Sequence, residues 1–164
     1  MTENVVKKMI NYFGTDVRRI NHALKVYGFA RCIARCEGLQ EQELVVVDIA
    51  AILHDIGIKE AERKYNSSSG HYQEIEGPPV ALQLLAEFAL DKTILDRISF
   101  LIANHHSYHK INGIDFQILV ESDFLVNIVE DEIQSHSIES IRSKYFKTAT
   151  GISIIESMFG VQQY

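Results

Sequence analysis

The run Glu43–Leu53 (ELVVVDIAAIL) constrains the fold of this chain more than any other segment. Read as a helix it is apolar almost all round, which predicts a helix from about Gln42 to His54 enclosed by other elements. It closes on the adjacent pair His54-Asp55, after which Ile56-Gly57-Ile58 turns the chain. An imidazole beside a carboxylate in apolar surroundings is costly unless something cationic compensates both. A metal ion is a natural compensator, because neutral imidazole and carboxylate are both good ligands.

Other segments supply helices to do the enclosing. Thr15 or Asp16 can cap a helix whose apolar stripe runs Ile20, Ala23, Leu24, Tyr27, Ala30, Ile33 and Ala34, and which Gly38 stops. Lys64–Gly70 (KYNSSSG) is polar and Ser-rich and reads as a flexible loop. A third helix is expected to begin near Gly77-Pro78-Pro79, since a first turn tolerates proline, with Val80, Leu84, Leu85 and Phe88 on its buried face. Asp91 caps a fourth that leads into Asn104-His105-His106, and a fifth, from about Phe116 to Val129, carries Asp123. Shorter helices around Ile138–Phe146 and Ile152–Phe159 end the chain. Sustained period-two alternation between turn residues is missing, so no strand is predicted. The expectation is an all-α fold, a single compact helical bundle with residues 1–164 as one domain.

Composition narrows the function by exclusion. With 164 residues, 46% of them apolar and 23% charged, the chain has the make-up of an ordinary globular protein with room for a core. Its longest uncharged apolar stretches are about ten residues, short of a bilayer span, and no secretory pattern opens it. A cytoplasmic location without a membrane partner is therefore expected. The formal net charge of −6 argues against a nucleic acid polymer as partner, though not against a small anion, because a metal supplies local positive charge. Cys32 and Cys36 lie four apart on one helix face, a poor geometry for a disulfide. They read as small core or boundary residues.

The candidate ligands gain meaning together. His22, between Ile20 and Ala23-Leu24, reads by itself as a hydrogen-bonded core histidine. Asp123, among Leu119, Val120, Phe124, Leu125 and Val126, is expensive to bury without a partner, and a salt bridge would serve. With His54 and Asp55 added, three helices each present an imidazole or carboxylate to one interior, which is how bundles build metal sites. Two imidazoles and two carboxylates suit Mn, Fe, Ni or Zn, while oxygen-rich sites move toward Mg. Glu76, just before Gly77-Pro78, and His105 are candidates to hold a second ion, with Asp55 bridging to the first. Lys59, on the turn that leaves the doublet, and His106 are the candidate substrate contacts, Lys59 also as a catalytic helper on phosphate. His109 and His136 have no evident partners and read as surface residues.

In their order and on their expected helices, His22, His54-Asp55 and Asp123 resemble the HD-domain superfamily of metal-dependent phosphohydrolases. The segment ALQLLAEFALDKTILDRISFLIANHH is similar to the family's middle helices, and the resemblance covers roughly His22 to Asp131. It implies an all-helical fold that binds one or two divalent metals and hydrolyses a phosphoester of a nucleotide or related small phosphorylated compound. In that reading a metal-activated water is the nucleophile and Asp55 orients it. The chain departs from the family in placing Glu76 where some relatives have a His before Gly-Pro. It also has Ile58-Lys59 where guanosine-tetraphosphate hydrolases continue Glu-Asp, which weighs against that substrate. Two readings of other classes stand beside the hydrolase: a non-catalytic ligand-binding or regulatory module, and a di-iron oxygenase on the same fold. The presence of all four primary ligands favours the hydrolase. A homodimer through the apolar segment Ile152–Val161 is a further expectation.

Overall fold

Helix α3 (Glu41–Leu53) is the axis on which the rest of the chain packs. In this computed structural model, which describes residues 1–161, helices α1 (Thr2–Phe13), α2 (Val17–Cys36), α6 (Lys92–Ile102) and α7 (Ile114–Glu130) all lie against it. The last three residues of the expected 1–164 domain lie outside the described residues. Enclosure on every side is what the apolar run requires: Leu44, Val47, Ile49, Ala50, Ala51 and Leu53 are wholly buried. Its N-terminus is closed by a reciprocal capping box between Gln40 and Glu43, with the Gln40 N–H donating to Glu43 Oε2 at 2.9 Å. Asp48, the one charge in its middle, is buried and paired with Arg31 on α2.

Helix α2 is capped by Asp16, whose Oδ1 accepts from the Arg19 N–H at 3.2 Å. It ends two residues before Gly38, which takes a φ of 81° that a side chain would disfavour. The remaining elements are α4 (Ile58–Tyr65), α5 (Gly70–Leu85), a 3₁₀ turn at Tyr108–Lys110, α8 (Ser135–Tyr145) and α9 (Ala149–Phe159). Among the described residues there is no strand, and no helix is long and apolar enough to cross a membrane.

Three expectations need correction. Helix α5 begins at Gly70, so Pro78 and Pro79 sit inside it, without the N–H groups that would bond the Glu74 and Ile75 carbonyls. The helix is held there by tertiary contact: its backbone lies directly on the turn after α3, with Gly57 against Gln73 and Gly77. The segment after His54-Asp55 is also a helix, α4, with Ala61 on its buried side, and α1 packs Val5, Met9 and Phe13 into the core. Cys32 and Cys36 are free thiols on the surface, not core residues.

Near the C-terminus the wholly buried Glu121 of α7 organises the chain around it. It accepts from the backbone N–H groups of Lys147 at 2.6 Å and Thr148 at 2.9 Å, from the Gln117 amide at 2.8 Å, and from the Thr148 hydroxyl. Burial raises its pKa, and these donors oppose that by favouring the ionised form. One carboxylate thus joins α7 to the start of α9.

Candidate metal centre

The central helix ends where its two polar residues meet three other elements. His54 follows α3, His22 projects from α2, Asp123 from α7, and His105-His106 follow α6. His54 and His105 are almost completely buried, at 1% and 2% exposure, while the Asp55 side chain keeps 24%. His22 Nε2 lies 3.1 Å from His54 Nε2 and 3.2 Å from Asp123 Oδ1. Asp55 faces both ways: Oδ2 is 3.6 Å from His22 Nε2 and 3.5 Å from His54 Nε2, and Oδ1 is 3.3 Å from His105 Nε2.

The far side of each imidazole decides what the near side can be. His54 Nδ1 donates to the Ala51 carbonyl at 2.9 Å, and His105 Nδ1 to that of Ile102 at 2.8 Å. His22 Nδ1 donates to Glu130 Oε2 at 3.0 Å. With their Nδ1 protons committed, the three rings in their neutral form turn Nε2 lone pairs toward one another and toward two carboxylates. Lone pairs cannot satisfy lone pairs, and His105 Nε2 and Asp123 Oδ1 are buried without a hydrogen-bond partner.

Electrostatics states the same demand. Burial works against charge on His54, but Asp55 and Asp123 outweigh it and lift its pKa to about 9. Burial would likewise raise Asp55 and Asp123, yet the imidazoles around them hold both well below the usual carboxylate range. His106 goes the other way: burial and the adjacent His105 push it down to about 4. Two ionised carboxylates therefore require positive charge at the Nε2 edges, from protons or from a cation. The donors form two sets, His22, His54 and Asp123, and Asp55, His105 and His106; within each set the donor atoms lie within 4.8 Å of one another. Nitrogen and carboxylate donors with fixed outer hydrogen bonds fit a divalent ion.

Two expected members do not join this cluster. Glu76 is buried, but its oxygens accept from Lys64 and from Tyr65, the latter at 2.9 Å. The helix that carries it starts a full two turns earlier than the Gly-Pro pattern suggests, and so it faces α4. Lys59 donates to the Tyr12 carbonyl at 2.8 Å, with its ammonium 5.0 Å from the Tyr12 ring centroid. Helix formation in α4 commits it to α1. The cations on the wall of the cleft beside His22 and Asp55 are instead Arg18 and Arg19; the cleft, of about 400 Å³, is also lined by Ser68 and Asn127 and by the carboxylates of Asp16, Glu130 and Asp131. Arg19 is pinned by Asp16 at 2.9 Å and by Glu62 at 2.6 Å, while Arg18 is exposed. Helical spacing could have found these residues, because Arg18 is one turn before His22 and Asn127 one turn after Asp123. Glu130, two turns after Asp123, was legible by the same rule.

Glu130 sets the tautomer of His22, so Glu130→Gln is expected to weaken divalent-ion affinity about 10- to 100-fold, as calorimetric titration of metal-stripped protein would show. An unchanged affinity would remove Glu130 from this role.

Comparison with known proteins agrees with this pattern. No curated protein gives a significant match. One solved structure, a crystal structure described as a predicted HD superfamily hydrolase from an uncultured Thermotogales bacterium, superposes with a TM-score of 0.70 at 23% identity, covering 96% of this chain and 84% of that one. A model of the HD domain matches residues 19–144, a span that begins three residues before His22 and takes in every donor of both sets. The chain belongs to the HD domain family.

Proposed function

We infer that the protein is a metal-dependent phosphohydrolase acting on a small phosphorylated compound. The observation that carries this reading is the set of Nε2 lone pairs aimed at two ionised carboxylates at the floor of a cleft with arginines on its wall. His22, His54 and Asp123 would hold one divalent ion; Asp55, His105 and His106 suit a second. Asp55 belongs to the second set and turns its other oxygen toward the first. A bound ion supplies a water of lowered pKa and draws charge from phosphoryl oxygens.

The chain's own residues do the rest. Asp55, partly exposed to the cleft, orients the nucleophile toward phosphorus. Arg18, exposed on the cleft wall one turn before His22, takes the non-bridging oxygens, while Arg19, held by Asp16 and Glu62, shapes the wall beside it. Ser68 and Asn127 offer hydrogen bonds to the group that leaves. Arg18→Met is expected to raise KM for a phosphomonoester about tenfold with metal content unchanged, the size of one lost charge-assisted contact. Equal KM values would take Arg18 out of substrate binding.

The test of the reading is metal removal and return. Protein stripped with a chelator, then supplied with Mn, Fe, Ni, Zn or Mg, is assayed on nucleotides, p-nitrophenyl phosphate and bis-p-nitrophenyl phosphate, with the bound metal counted in parallel. Stoichiometric uptake with hydrolysis that returns on reloading supports it. Protein that takes up none of these ions sinks it.

A further inference from the structure

Three of the four imidazoles in the two donor sets are fixed by an outer hydrogen bond on Nδ1: His22 to Glu130, His54 to the Ala51 carbonyl and His105 to that of Ile102. His106 is the exception. Its Nδ1 is buried and has no hydrogen-bond partner among the described residues. A ligand ring still has to be held in one orientation, because an ion binds only where its donors converge. Something other than a hydrogen bond to the ring must hold this one.

The first turn of α5 does so in two ways. Gly70, its opening residue, lies against the ring: a Cβ there would stand 2.7 Å from Nδ1, 3.0 Å from Cγ and 3.1 Å from Cε1. The ring centroid is also 3.9 Å from that of His105, so His106 cannot give way without changing its place beside another donor. One turn along the helix, Glu74 holds the backbone. Its Oε1 accepts from the His106 N–H at 3.1 Å, and the Ser107 hydroxyl donates to the same carboxylate, at 3.3 Å to Oε1 and 3.4 Å to Oε2. Gly70 and Glu74 are four apart and so share a helix face.

This turn is itself firmly seated. The buried Gln73 donates from its amide to the Ser68 carbonyl at 2.8 Å, which ties the preceding loop back onto the helix. The backbone at Gln73 and Gly77 rests on Gly57, two residues after Asp55. Helix α5 therefore touches both turns that supply Asp55, His105 and His106, although none of its own residues belongs to either donor set.

We propose that the first turn of α5 is a clamp that positions His106, with Gly70 as the surface its ring rests on and Glu74 as the anchor of its backbone, and that this clamp sets the affinity of the Asp55, His105 and His106 set for its ion. The ion is the second one of the phosphohydrolase reading, on which that part of the proposal rests. Gly70 and Glu74 are positioning residues, acting through His106.

The test has two readouts on the full-length protein: the histidine ring signals of the metal-stripped form by long-range proton–nitrogen NMR, and Mn(II) titration by calorimetry with the bound ions counted. Gly70 is helical, so alanine suits its backbone and Gly70→Ala probes the contact with the ring. Gly70→Ala and Glu74→Ala should each shift the His106 signals, leave those of His22 and His54 in place, and weaken the second ion about 10- to 100-fold with the first unchanged. Glu74→Gln keeps an acceptor for the His106 N–H and should restore the second ion. A general folding defect would instead weaken both ions. His106 signals unmoved in both alanine variants overturn the clamp, as does a second ion bound as tightly as in the parent, or a parent that binds one ion only. A parent that binds no ion while the His106 signals shift as expected keeps the clamp on His106 and overturns the phosphohydrolase reading.

Discussion

Asp55→Ala is expected to abolish hydrolysis and to lower the number of divalent ions retained. Its carboxylate faces both donor sets: Oδ2 points to His22 and His54 and Oδ1 to His105. Removing it leaves His105 Nε2, already without a hydrogen-bond partner, with no anionic neighbour on that side. Several kcal/mol of charge stabilisation in the transition state correspond to a loss of about three orders of magnitude in kcat/KM. The fold should survive, because the Asp55 carboxylate closes no helix end. Circular dichroism would report unchanged helicity while metal counting and the phosphatase assay report the loss. A variant that keeps its full metal content and rate would disconnect Asp55 from the chemistry.

The second large effect is one of packing. Gly57→Ala places a Cβ hard against the Gln73 carbonyl oxygen, 2.5 Å from Gly77 N and 2.9 Å from Gly77 Cα. All three are backbone atoms of α5, so no rotamer change relieves the contact and the helix itself must move. Gly77 leaves little room to retreat, since a Cβ there would meet Ile102 Cγ2 at 2.5 Å. Overpacking of this kind costs about 3 kcal/mol, which for a chain of this size lowers Tm by roughly 10 °C. Because Gly57 is two residues after Asp55, metal affinity should fall with stability. A melting temperature within a degree or two of the parent would show that the turn yields easily.

Much of this architecture was legible in the sequence. The all-round apolar run fixed the place of α3, and stripes at spacings of three and four marked α2, α6 and α7. The clustered residues His22, His54, Asp55 and Asp123 were visible because a polar residue on a buried helical face needs a reason to be there. What could not be read was where long polar side chains go once their helices are docked. Lys59 and Glu76 flank the right turn in sequence, but α4 forms as a helix and α5 starts early, which directs one to Tyr12 and the other to Lys64 and Tyr65. The proline pair misled for a related reason. Its local preference is for a helix start, and contact with Gly57 overrides it. Arg18, Asn127 and Glu130 were within reach of helical periodicity applied outward from the ligands.

The hold of Glu121 on Thr148 bears on how far this chain can be trimmed. The family match stops at residue 144, and a fragment cut there would strip three of the four donors, all but the Gln117 amide, from a fully buried carboxylate two positions from Asp123. At the other end, loss of α1 would lay bare the side of α3 that Val5, Met9 and Phe13 now cover. The shortest autonomous piece is therefore longer than the region by which the family is recognised, and the tails outside that region belong to the scaffold that keeps the helices bearing the His and Asp cluster in register.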